Sequence, residues 1–570
     1  MQYIVVFLTN VYLLLRNLLV GLFRSSPDYV WLDIGGELPE FERKVGFLRK
    51  RLSPPREVQS LEGLRLKLRL AAADGRVSGV VLRIRALSAG WAALEELRTE
   101  LSDYRRRGGR VVAYLIECGM GPYYLATAAD EIVAAPLATV DVRGLRTNVN
   151  FIRDALERLG VEAEVVAVSP YKSAFDRFTR RDFSEESREQ VERLLTARFS
   201  EFVSTVSAAR GFTVGEVERL VDDAPYPARA ALAVGLIDGV CYEDELPARL
   251  AGREDARDPV RLAEWGAART SLKRSYLRRA EKKVGVVTLS GGIVRGRSRN
   301  VPIPVPLIGG EQAGDETIVA ALRSAERNPR VGAVVFHVES GGGDALASDL
   351  VWREVERMKK KKPVVVLMGN VAASGGYYVG AAANRIVVRG NSVTGSIGVI
   401  TLRPVATKLY EKLGVNPVSV ERGAHAGLLD VSRPPTEEEL SVIEGQIRAI
   451  YDEFISRVAS GRGMDEARLR EMAGGRVWTG REAVKLGLAD EVGGFSLAVR
   501  RAAELADISL VGPESVEIVP PPKGVRPQPG EAAASVFEGG FGPVYRELAD
   551  ELLKTRTLAA MPYKLTDQSR

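Results

Sequence analysis

The 570-residue sequence predicts an α/β fold with mainly parallel strands, built twice along the chain. Short apolar runs rich in β-branched residues alternate with longer segments of helical pattern, which is the order of parallel strands joined by crossover helices. The same order recurs at a constant offset, which indicates an internal repeat. An apolar segment at the N-terminus precedes both copies.

The repeat is defined by several matches at one offset. Tyr123-Tyr124 and Tyr377-Tyr378 lie in similar surroundings, and 377 − 123 gives 254. No gap is needed from about residue 77 to residue 172. The same offset aligns VSGVVLRIR (77–85) with VGAVVFHVE (331–339), YYLATAADEIV (123–133) with YYVGAAANRIV (377–387), and LERLGVEAEVV (156–166) with YEKLGVNPVSV (410–420).

Each copy contains the same predicted elements in the same order. A buried strand is followed by a helix, a second buried strand, and a small-residue turn into a helix near the Tyr-Tyr pair. Farther on, a long helical region and a short motif recur. The ranges are 80–84, 91–106, 110–115, 184–210 and 228–240 in the first copy, and 334–338, 345–360, 363–368, 436–461 and 480–492 in the second.

These patterns predict five segments along the chain. A membrane-associated helix occupies residues 1–25, and the two repeats occupy residues 36–250 and 283–512. A charged segment, residues 251–282, is expected to link the repeats. Residues 513–570 are expected to form a Pro/Gly-rich linker and tail, with an amphipathic helix near 543–558.

The N-terminal segment has two interpretations. Residues 4–23 are long enough to span a bilayer, which takes about 20 residues. Tyr3, Asn10, Asn17 and Arg24 recur every seven residues, so they share one helical stripe. The segment is therefore either a spanning anchor whose polar seam packs against another helix, or an amphipathic helix that lies in the membrane interface. The basic residues near its end favour a cytoplasmic location for the rest of the chain.

Composition excludes several classes of function. The net charge is 80 − 74, or +6, and no clustered basic patch with aromatics indicates nucleic-acid binding. Cys118 and Cys241 do not form a disulfide framework. His337 and His425 are the only histidines, so a His-rich zinc site has too few ligands, and no phosphate-binding loop is present. We expect neither a metal nor a cofactor.

Two small-residue turns in the second copy are candidates for chemistry. Ser340-Gly341-Gly342-Gly343-Asp344 follows a buried strand, and its backbone N–H groups can approach an anion; a plain tight turn is the simpler interpretation. Ser374 precedes Gly375 and Gly376 at a strand-to-helix turn, where it is either a nucleophile or an ordinary helix N-cap. At the offset of 254 the first copy has Met120 for Ser374, Ser88 for Gly342 and Ala89 for Gly343. The second copy therefore has the features of an active site, and the first copy has lost them.

A nucleophilic serine requires a base. His337 lies within a predicted strand, where a structural role is expected, and His425 lies in a Gly-Ala-His-Ala-Gly loop. Lys172 is the other candidate, since a lysine can serve as base in a Ser-Lys pair. Its counterpart, 172 + 254, is Ala426. One copy thus has a lysine without the serine, and the other has the serine without the lysine.

The motifs AASGGYY (372–378), TGSIGV (394–399) and SPYKSAF (169–175) resemble those of the signal peptide peptidase A family of Ser-Lys peptidases, in its long, duplicated form. The resemblance covers roughly residues 40–510. It implies a fold like that of the Clp protease and crotonase group. By motif match it implies Ser374 as nucleophile, Lys172 as base, Ser396 as the serine that holds the lysine, and an oxyanion role for Gly342 and Gly343. Gly375 is expected to contribute a further oxyanion N–H group.

One feature departs from that family. Its members usually have an Asn-Ser-Pro-Gly-Gly turn, whereas this chain has Glu339-Ser340-Gly341-Gly342-Gly343. The glycine in place of proline implies a looser turn, and Glu339 brings a charge near the site.

The resemblance also implies the activity and its setting. We expect a membrane-associated serine endopeptidase that degrades cleaved signal peptides or other apolar peptides through an acyl-enzyme, without a cofactor. The family further implies a homotetramer at the bacterial inner membrane, with catalytic domains on the extracytoplasmic side. Two alternatives stay open: an acyl-CoA enzyme of crotonase type, and a non-catalytic membrane scaffold with a decayed site.

Overall fold

The structure is a computed structural model that describes residues 2–42, 59–252, 259–301, 310–525, 528–529 and 558–560. The described residues form two compact units. Unit 1 comprises the chain up to Thr147 together with Leu195–Arg279. Unit 2 comprises Asn148–Leu194 and the chain from Ala280 to Lys564. The segment that contains Lys172 therefore packs within unit 2, although in sequence it belongs to the first repeat.

The strands are numbered along the whole chain. They are β1 (Tyr29–Gly36), β2 (Gly79–Leu87), β3 (Arg110–Leu115), β4 (Glu131–Ala134), β5 (Thr139–Val140), β6 (Glu162–Ala167), β7 (Tyr226–Pro227), β8 (Gly239–Val240), β9 (Leu262–Glu264), β10 (Lys283–Ser290), β11 (Gly292–Val294), β12 (Arg299–Val301), β13 (Gly310–Gly314), β14 (Val331–Ser340), β15 (Gly342–Asp344), β16 (Val364–Ala373), β17 (Arg385–Val388), β18 (Val393–Gly395), β19 (Ile400–Val405), β20 (Val477–Thr479), β21 (Glu491–Val492), β22 (Val516–Ile518), β23 (Gln528–Pro529) and β24 (Leu558–Ala560).

The α-helices are numbered in the same way. They are α1 (Gln2–Phe23), α2 (Leu61–Ala73), α3 (Trp91–Arg106), α4 (Met120–Ala126), α5 (Arg153–Leu159), α6 (Asp176–Thr179), α7 (Glu185–Arg210), α8 (Val214–Asp222), α9 (Ala228–Ala233), α10 (Leu246–Leu250), α11 (Trp265–Ser271), α12 (Asp315–Arg327), α13 (Ala345–Met358), α14 (Gly375–Tyr378), α15 (Thr407–Leu413), α16 (Glu437–Arg462), α17 (Glu466–Met472), α18 (Gly480–Leu486) and α19 (Phe495–Leu505).

Unit 1 is built on a parallel sheet with strand order β8-β4-β3-β2-β1-β9. Its central strands β2 and β3 are apolar runs buried on both faces, as parallel strands covered by helices must be. Helices α2, α3 and α4 contribute their apolar sides to one core with this sheet. The predicted helix 91–106 and strand 110–115 coincide with α3 and β3.

The segment expected to be a linker contributes structure to unit 1. Within 251–282, strand β9 pairs with β1 and forms the edge of the sheet, and helix α11 follows directly. Trp265 and Ala268 of that helix pack against the unit 1 core, so this part of the segment belongs to unit 1. The expected C-terminal helix near 543–558 lies outside the described residues, apart from Leu558 at the start of β24.

Unit 2 contains two sheets. The first has the order β20-β18-β16-β14-β10-β22, with β17 also paired to β16 and β21 paired to β17, and is parallel except for the β18–β20 pair. The second has the order β23-β12-β13-β11-β15-β24-β19-β6. Strand β14 runs from the first sheet directly into the turn that starts β15 in the second. The predicted α/β fold with mainly parallel strands is confirmed by these sheets.

Candidate active site

Ser374 lies at the sharp turn between strand β16 and helix α14. Its backbone has φ 58° and ψ −120°, a conformation that non-glycine residues rarely adopt. Such strain persists where surrounding structure enforces it and is concentrated at functional sites. A strained strand-to-helix turn also presents the nucleophilic serine of α/β hydrolases. The backbone is therefore arranged as in known nucleophile turns, and the Ser374 side chain is buried.

Glycines after Ser374 allow close contact with the turn that precedes β15. A methyl group on Gly376 would lie 2.4 Å from the carbonyl oxygen of Ser340, which is too close for any side chain. A methyl group on Gly375 would lie 3.2 Å from Cα of Gly342. The two small-residue turns that the sequence singled out are therefore in direct contact.

Lys172 is the hydrogen-bond partner of Ser374. Its Nζ atom lies 2.8 Å from Ser374 Oγ, and the two residues are 1% and 0% exposed. Burial lowers the pKa of Lys172 well below its usual range, because the charged form loses its hydration. A neutral amine at this distance can accept the hydroxyl proton, as a general base must.

Ser396 holds the other side of the lysine amine. Lys172 Nζ lies 2.9 Å from Ser396 Oγ and donates to the Ser396 carbonyl oxygen at 2.8 Å. Strands β16 and β18 are parallel, with Ala373 paired to Gly395, so Ser374 and Ser396 each follow the last pair of the ladder. The Ser374 N–H group also donates to the Gly395 carbonyl oxygen at 2.7 Å. This register places both hydroxyl groups beside one amine.

Strand β6 brings Lys172 to this position. It pairs antiparallel with β19, and Ala167 is opposite Ile400. Lys172 follows Ala167 by five residues (172 − 167), and Ser396 precedes Ile400 by four (400 − 396). Because the strands run in opposite directions, these two extensions leave the ladder at the same end.

Two glycines that the sequence analysis missed support the lysine turn. A methyl group on Gly475 would lie 2.7 Å from the Lys172 backbone nitrogen, and the Gly475 N–H donates to the Ile397 carbonyl oxygen at 2.8 Å. Ser169 Oγ donates to the Gly474 carbonyl oxygen. The motif at 480–492 repeats 228–240 at an offset of 480 − 228, or 252, so these glycines correspond to residues 222 and 223, both aspartate. This difference between the two copies is the sequence signal that could have identified the two glycines.

The turn at residues 340–343 provides the candidate oxyanion donors. Gly342 and Gly343 have φ values of 104° and 156°, which favour glycine. The Gly342 N–H donates to Ser340 Oγ at 3.1 Å, so that donor is already used within the turn. The N–H of Gly375 is the first of helix α14 and has no acceptor inside the helix. Gly343 is paired with Ile293 of β11 and with Ala559 of β24, so Gly375 is the clearest candidate donor of the three glycines.

Glu339 points away from this turn, toward the backbone of β16. Its Oε2 atom accepts the Asn370 N–H at 2.8 Å, and its Oε1 atom accepts the Val371 N–H at 3.1 Å. The ladder between β14 and β16 shifts register here, from Val338–Met368 to Ser340–Ala372. The carboxylate therefore binds two N–H groups that lie within this irregularity. Burial raises the pKa of Glu339.

The histidines take other positions. His337 is buried in β14, and His425 is exposed in a loop. Neither is the hydrogen-bond partner of Ser374, whose hydroxyl contacts Lys172. Within the described ranges, no three His, Cys, Asp or Glu side chains group closely enough to hold a metal ion.

Comparison with known proteins gives two matches to one family. Residues 104–257 and 356–509 each match the family described as "Peptidase family S49", which covers 154 + 154 of the 570 residues. The chain belongs to peptidase family S49. The starts of the two S49 matches differ by 356 − 104, or 252, so the predicted tandem duplication is confirmed.

Curated S49 relatives align over most of the chain. "Serine protease SPPA, chloroplastic" of Arabidopsis thaliana is 35% identical over 444 residues, which cover 77% of this chain and 65% of that protein. "Protease 4" of Haemophilus influenzae is 30% identical over 470 residues, 80% of this chain and 74% of that protein. Among solved structures, a ClpP1 mutant from Listeria monocytogenes matches with a TM-score of 0.24 and 12% identity, over 38% of this chain and 94% of that one.

A peptide strand lies beside the serine turn of this S49 chain. Strand β24 pairs antiparallel with β15, with Ala560 opposite Gly342, Ala559 opposite Gly343 and Leu558 opposite Asp344. It also pairs with β19 through Leu558 and Ile400. The edges of β15 and β19 therefore form a groove that holds an extended backbone next to the candidate oxyanion glycines.

Proposed function

We propose that this protein is a serine endopeptidase in which Ser374 is the nucleophile and Lys172 the general base. The observation that carries the proposal is the 2.8 Å contact between Lys172 Nζ and Ser374 Oγ in a buried site that lowers the pKa of the lysine. A hydroxyl is a weak nucleophile until a base removes its proton, and a lysine whose burial favours the neutral amine meets that need.

Acylation begins with transfer of the Oγ proton to Lys172 as Ser374 attacks the substrate carbonyl carbon. The C–Oγ bond forms, and the carbonyl π electrons move onto oxygen to give an oxyanion. We assign the donors to that oxygen to the N–H groups of Gly343 and Gly375. The protonated Lys172 then gives its proton to the leaving amine as the C–N bond breaks, which leaves an acyl-enzyme ester on Ser374.

Deacylation reverses these roles with water. Lys172 takes a proton from the attacking water molecule, and the resulting intermediate breaks its C–Oγ bond. The proton returns from Lys172 to Ser374 Oγ and the peptide acid leaves. Ser396 keeps the amine in place throughout, through its hydroxyl and carbonyl oxygens. No cofactor takes part in this scheme.

We propose extended apolar peptides, cleaved signal peptides above all, as substrates. The groove between β15 and β19 supports a peptide substrate, since it holds strand β24 by main-chain pairing. Main-chain pairing at a sheet edge gives affinity without demanding a particular sequence. The family resemblance supports the signal-peptide class.

The test combines active-site labelling with peptidase assays on the purified full chain. Wild type, Ser374→Ala and Lys172→Ala are treated with a fluorophosphonate probe and assayed on casein and on a synthetic signal peptide. We expect labelling and turnover by wild type alone, with Ser374 as the modified residue by mass spectrometry. Full activity in Lys172→Ala would disprove the dyad and return His425 as the candidate base.

The two alternatives give other results in the same assays. An acyl-CoA enzyme of crotonase type needs no Ser-Lys pair, so it would not be labelled at Ser374 and would turn over a CoA thioester instead. A scaffold with a decayed site would show neither labelling nor turnover. The contact between Lys172 and Ser374 favours the peptidase over both.

The setting of the protein is also proposed. Helix α1 is long and apolar enough to cross a membrane, by length and composition, and is consistent with membrane association. The family resemblance supports the bacterial inner membrane, a periplasmic location of the catalytic residues and a homotetramer. Proteinase K digestion of spheroplasts tests the side, and light scattering of the detergent-solubilised protein tests the assembly.

A further inference from the structure

Helix α1 of unit 1 is held along one side by residues 270–277, here called the strap, which begin with the last two residues of helix α11 and continue as an extended segment. The Asn10 side chain donates to the Leu277 carbonyl oxygen at 2.9 Å and accepts the Leu277 N–H at 2.8 Å. The Asn17 side chain does the same with Arg274, at 2.8 Å and 2.9 Å. Each asparagine thus pairs with both the backbone N–H and the backbone carbonyl oxygen of one strap residue.

The distance between polar residues seven apart on α1 matches the distance between Arg274 and Leu277 of the strap. Seven helical residues rise about 10.5 Å, and the three steps from Arg274 to Leu277 cover about 10 Å in an extended chain. Arg16 continues the contact by donating to the Leu272 carbonyl oxygen at 2.9 Å, and Arg24 donates to that of Thr270 at 3.1 Å. The polar stripe therefore binds the strap of the same unit, through the end of helix α11 at Thr270 and the extended backbone that follows it.

The opposite side of α1 is apolar and exposed. Large side chains cover about half of the helix circumference, and Phe7 and Phe23 are 67% and 79% exposed. This exposed surface extends over most of a helix about 33 Å long. Contiguous apolar surface of that size marks an interaction site.

The strap adds positive charge along the border of this surface. Lys273, Arg274 and Arg278 are exposed, and Tyr12 and Tyr276 are exposed aromatic residues on the helix and the strap. Basic and tyrosine side chains beside an apolar helical face are typical of contact with lipid headgroups. The charge complements an anionic surface.

We infer that α1 and the strap together form an in-plane docking surface for an anionic lipid bilayer, and that α1 does not span it. In a spanning helix the strap would lie at the same depth as Asn10 to Arg24 and would carry Lys273, Arg274 and extended backbone into the hydrocarbon. Charged side chains there are costly, and lipid-exposed backbone outside helices and closed barrels does not occur at that depth. In the interface plane, α1 buries its apolar half and the strap faces water.

Cysteine accessibility on the full-length protein in phosphatidylglycerol-containing vesicles tests the inference. Ser275→Cys places a thiol on the exposed strap beside the middle of the helix, and Leu15→Cys places one on the apolar face. We expect a membrane-impermeant maleimide to label Ser275→Cys as fast with vesicles as in detergent, and vesicles to slow labelling of Leu15→Cys at least tenfold. The native Cys118 and Cys241 are buried, and the wild type serves as their control.

A charge variant tests the choice of lipid. Lys273→Glu combined with Arg274→Glu should lower sedimentation with phosphatidylglycerol vesicles severalfold, and leave it unchanged with phosphatidylcholine vesicles. Protection of both introduced thiols would mean that the helix spans. Labelling of Leu15→Cys that is as fast with vesicles as in detergent would mean that no bilayer covers α1; either result overturns the inference. Hydrolysis of a short soluble peptide in detergent should be the same in all these variants, so failure of the docking surface is distinguishable from failure of the proposed peptidase activity.

Discussion

Lys172 Nζ and Ser374 Oγ lie 2.8 Å apart, although 202 positions separate the two residues in sequence. The contact is formed within unit 2, because residues 148–194 leave the first repeat and pack with the second. Antiparallel pairing of β6 with β19 fixes the approach of the lysine, and the parallel pairing of β16 with β18 fixes the two serines. The contact between Lys172 and Ser374 therefore results from two ladders whose ends lie side by side.

Removing the Ser396 hydroxyl should slow catalysis without weakening substrate binding. In Ser396→Ala the amine of Lys172 keeps the backbone carbonyl oxygen as acceptor but loses the contact at 2.9 Å. We expect kcat to fall about 10- to 100-fold, a part of what general-base catalysis contributes, with little change in KM. Steady-state kinetics on a synthetic signal peptide measure both constants.

Ser396→Gly distinguishes the effect of losing the hydroxyl from the effect of backbone strain at this position. Ser396 has a φ of 51°, which glycine adopts without strain. This variant should lose as much activity as Ser396→Ala and be the more stable of the two in thermal unfolding. Unchanged kcat in both variants would show that the backbone carbonyl alone orients the lysine.

Replacing Lys172 by methionine should stabilise the folded protein while abolishing activity. The unfolded chain keeps a proton on this lysine up to pH about 10.4, whereas burial lowers the pKa in the folded protein. Between the two pKa values the unfolded state binds more protons, so the free energy of unfolding rises by about 1.4 kcal/mol per pH unit from this group. The cost of burying the amine is thus largest at low pH and disappears above the unfolded pKa.

Denaturant unfolding from pH 7 to pH 9 measures that slope. We expect Lys172→Met to exceed the wild type in stability at pH 7 and the difference to shrink as pH rises. Lys360→Met, at an exposed lysine, is the control and should show no such convergence. A constant difference across this range would mean that Lys172 is charged in the folded protein.

Glu339 is predicted to position the nucleophile turn through the backbone of β16. Its two oxygens accept separate N–H groups, from Asn370 and Val371, four and three residues before Ser374. Glu339→Gln provides one acceptor oxygen where the carboxylate provides two. We expect kcat and the rate of fluorophosphonate labelling at Ser374 to fall together about 10-fold, or 1.4 kcal/mol in the barrier, with KM unchanged.

A thermal-unfolding profile of Glu339→Gln shows whether the fold persists. Glu421→Gln changes an exposed carboxylate in the same unit and should leave both rates as in the wild type. If Glu339→Gln raises KM instead of lowering kcat, the carboxylate shapes the peptide groove and not the nucleophile turn.

Much of this arrangement was predictable from sequence, because duplication left a record of which positions changed. The offset of 254 paired Ser374 with Met120 and Lys172 with Ala426, and the apolar runs located β2, β3, β14 and β16. Those pairings led us to expect a contact between Lys172 and Ser374, and this contact is present in the structure. Ser396 came from the motif resemblance and lies beside the same amine.

The parts that sequence did not predict are non-local backbone contacts. Periodicity reports the burial of a segment and not its partner, so nothing marked β6 as the partner of β19 or the strap as the partner of α1. Glu339 was expected to add charge at the turn, yet its carboxylate binds β16, since a register shift exposes two N–H groups there. Gly474 and Gly475 were missed for the same reason, because their role is a non-local contact: the absence of a side chain lets the turn around Lys172 pack against them.

Removing strand β24 should increase the apparent affinity for peptide substrates. This strand pairs with Gly342–Asp344, the backbone that a substrate strand would use, so the two compete for one groove. If the tail fills the groove nine tenths of the time, deletion of residues 558–570 lowers KM about 10-fold and leaves kcat unchanged. Deletion of residues 565–570 alone is the length control and should have no effect.

A point variant and a free peptide test whether strand β24 itself competes with the substrate. Ala559→Pro removes a main-chain donor from β24 and should lower KM in the full-length chain, because proline cannot complete the ladder. A synthetic peptide of residues 554–564 should inhibit the truncated enzyme competitively. Equal KM values in the full-length and truncated proteins would contradict occupancy of the groove by the tail. Since the proposed chemistry requires only Ser374, Lys172 and Ser396, the truncated protein should keep its fluorophosphonate labelling in either case.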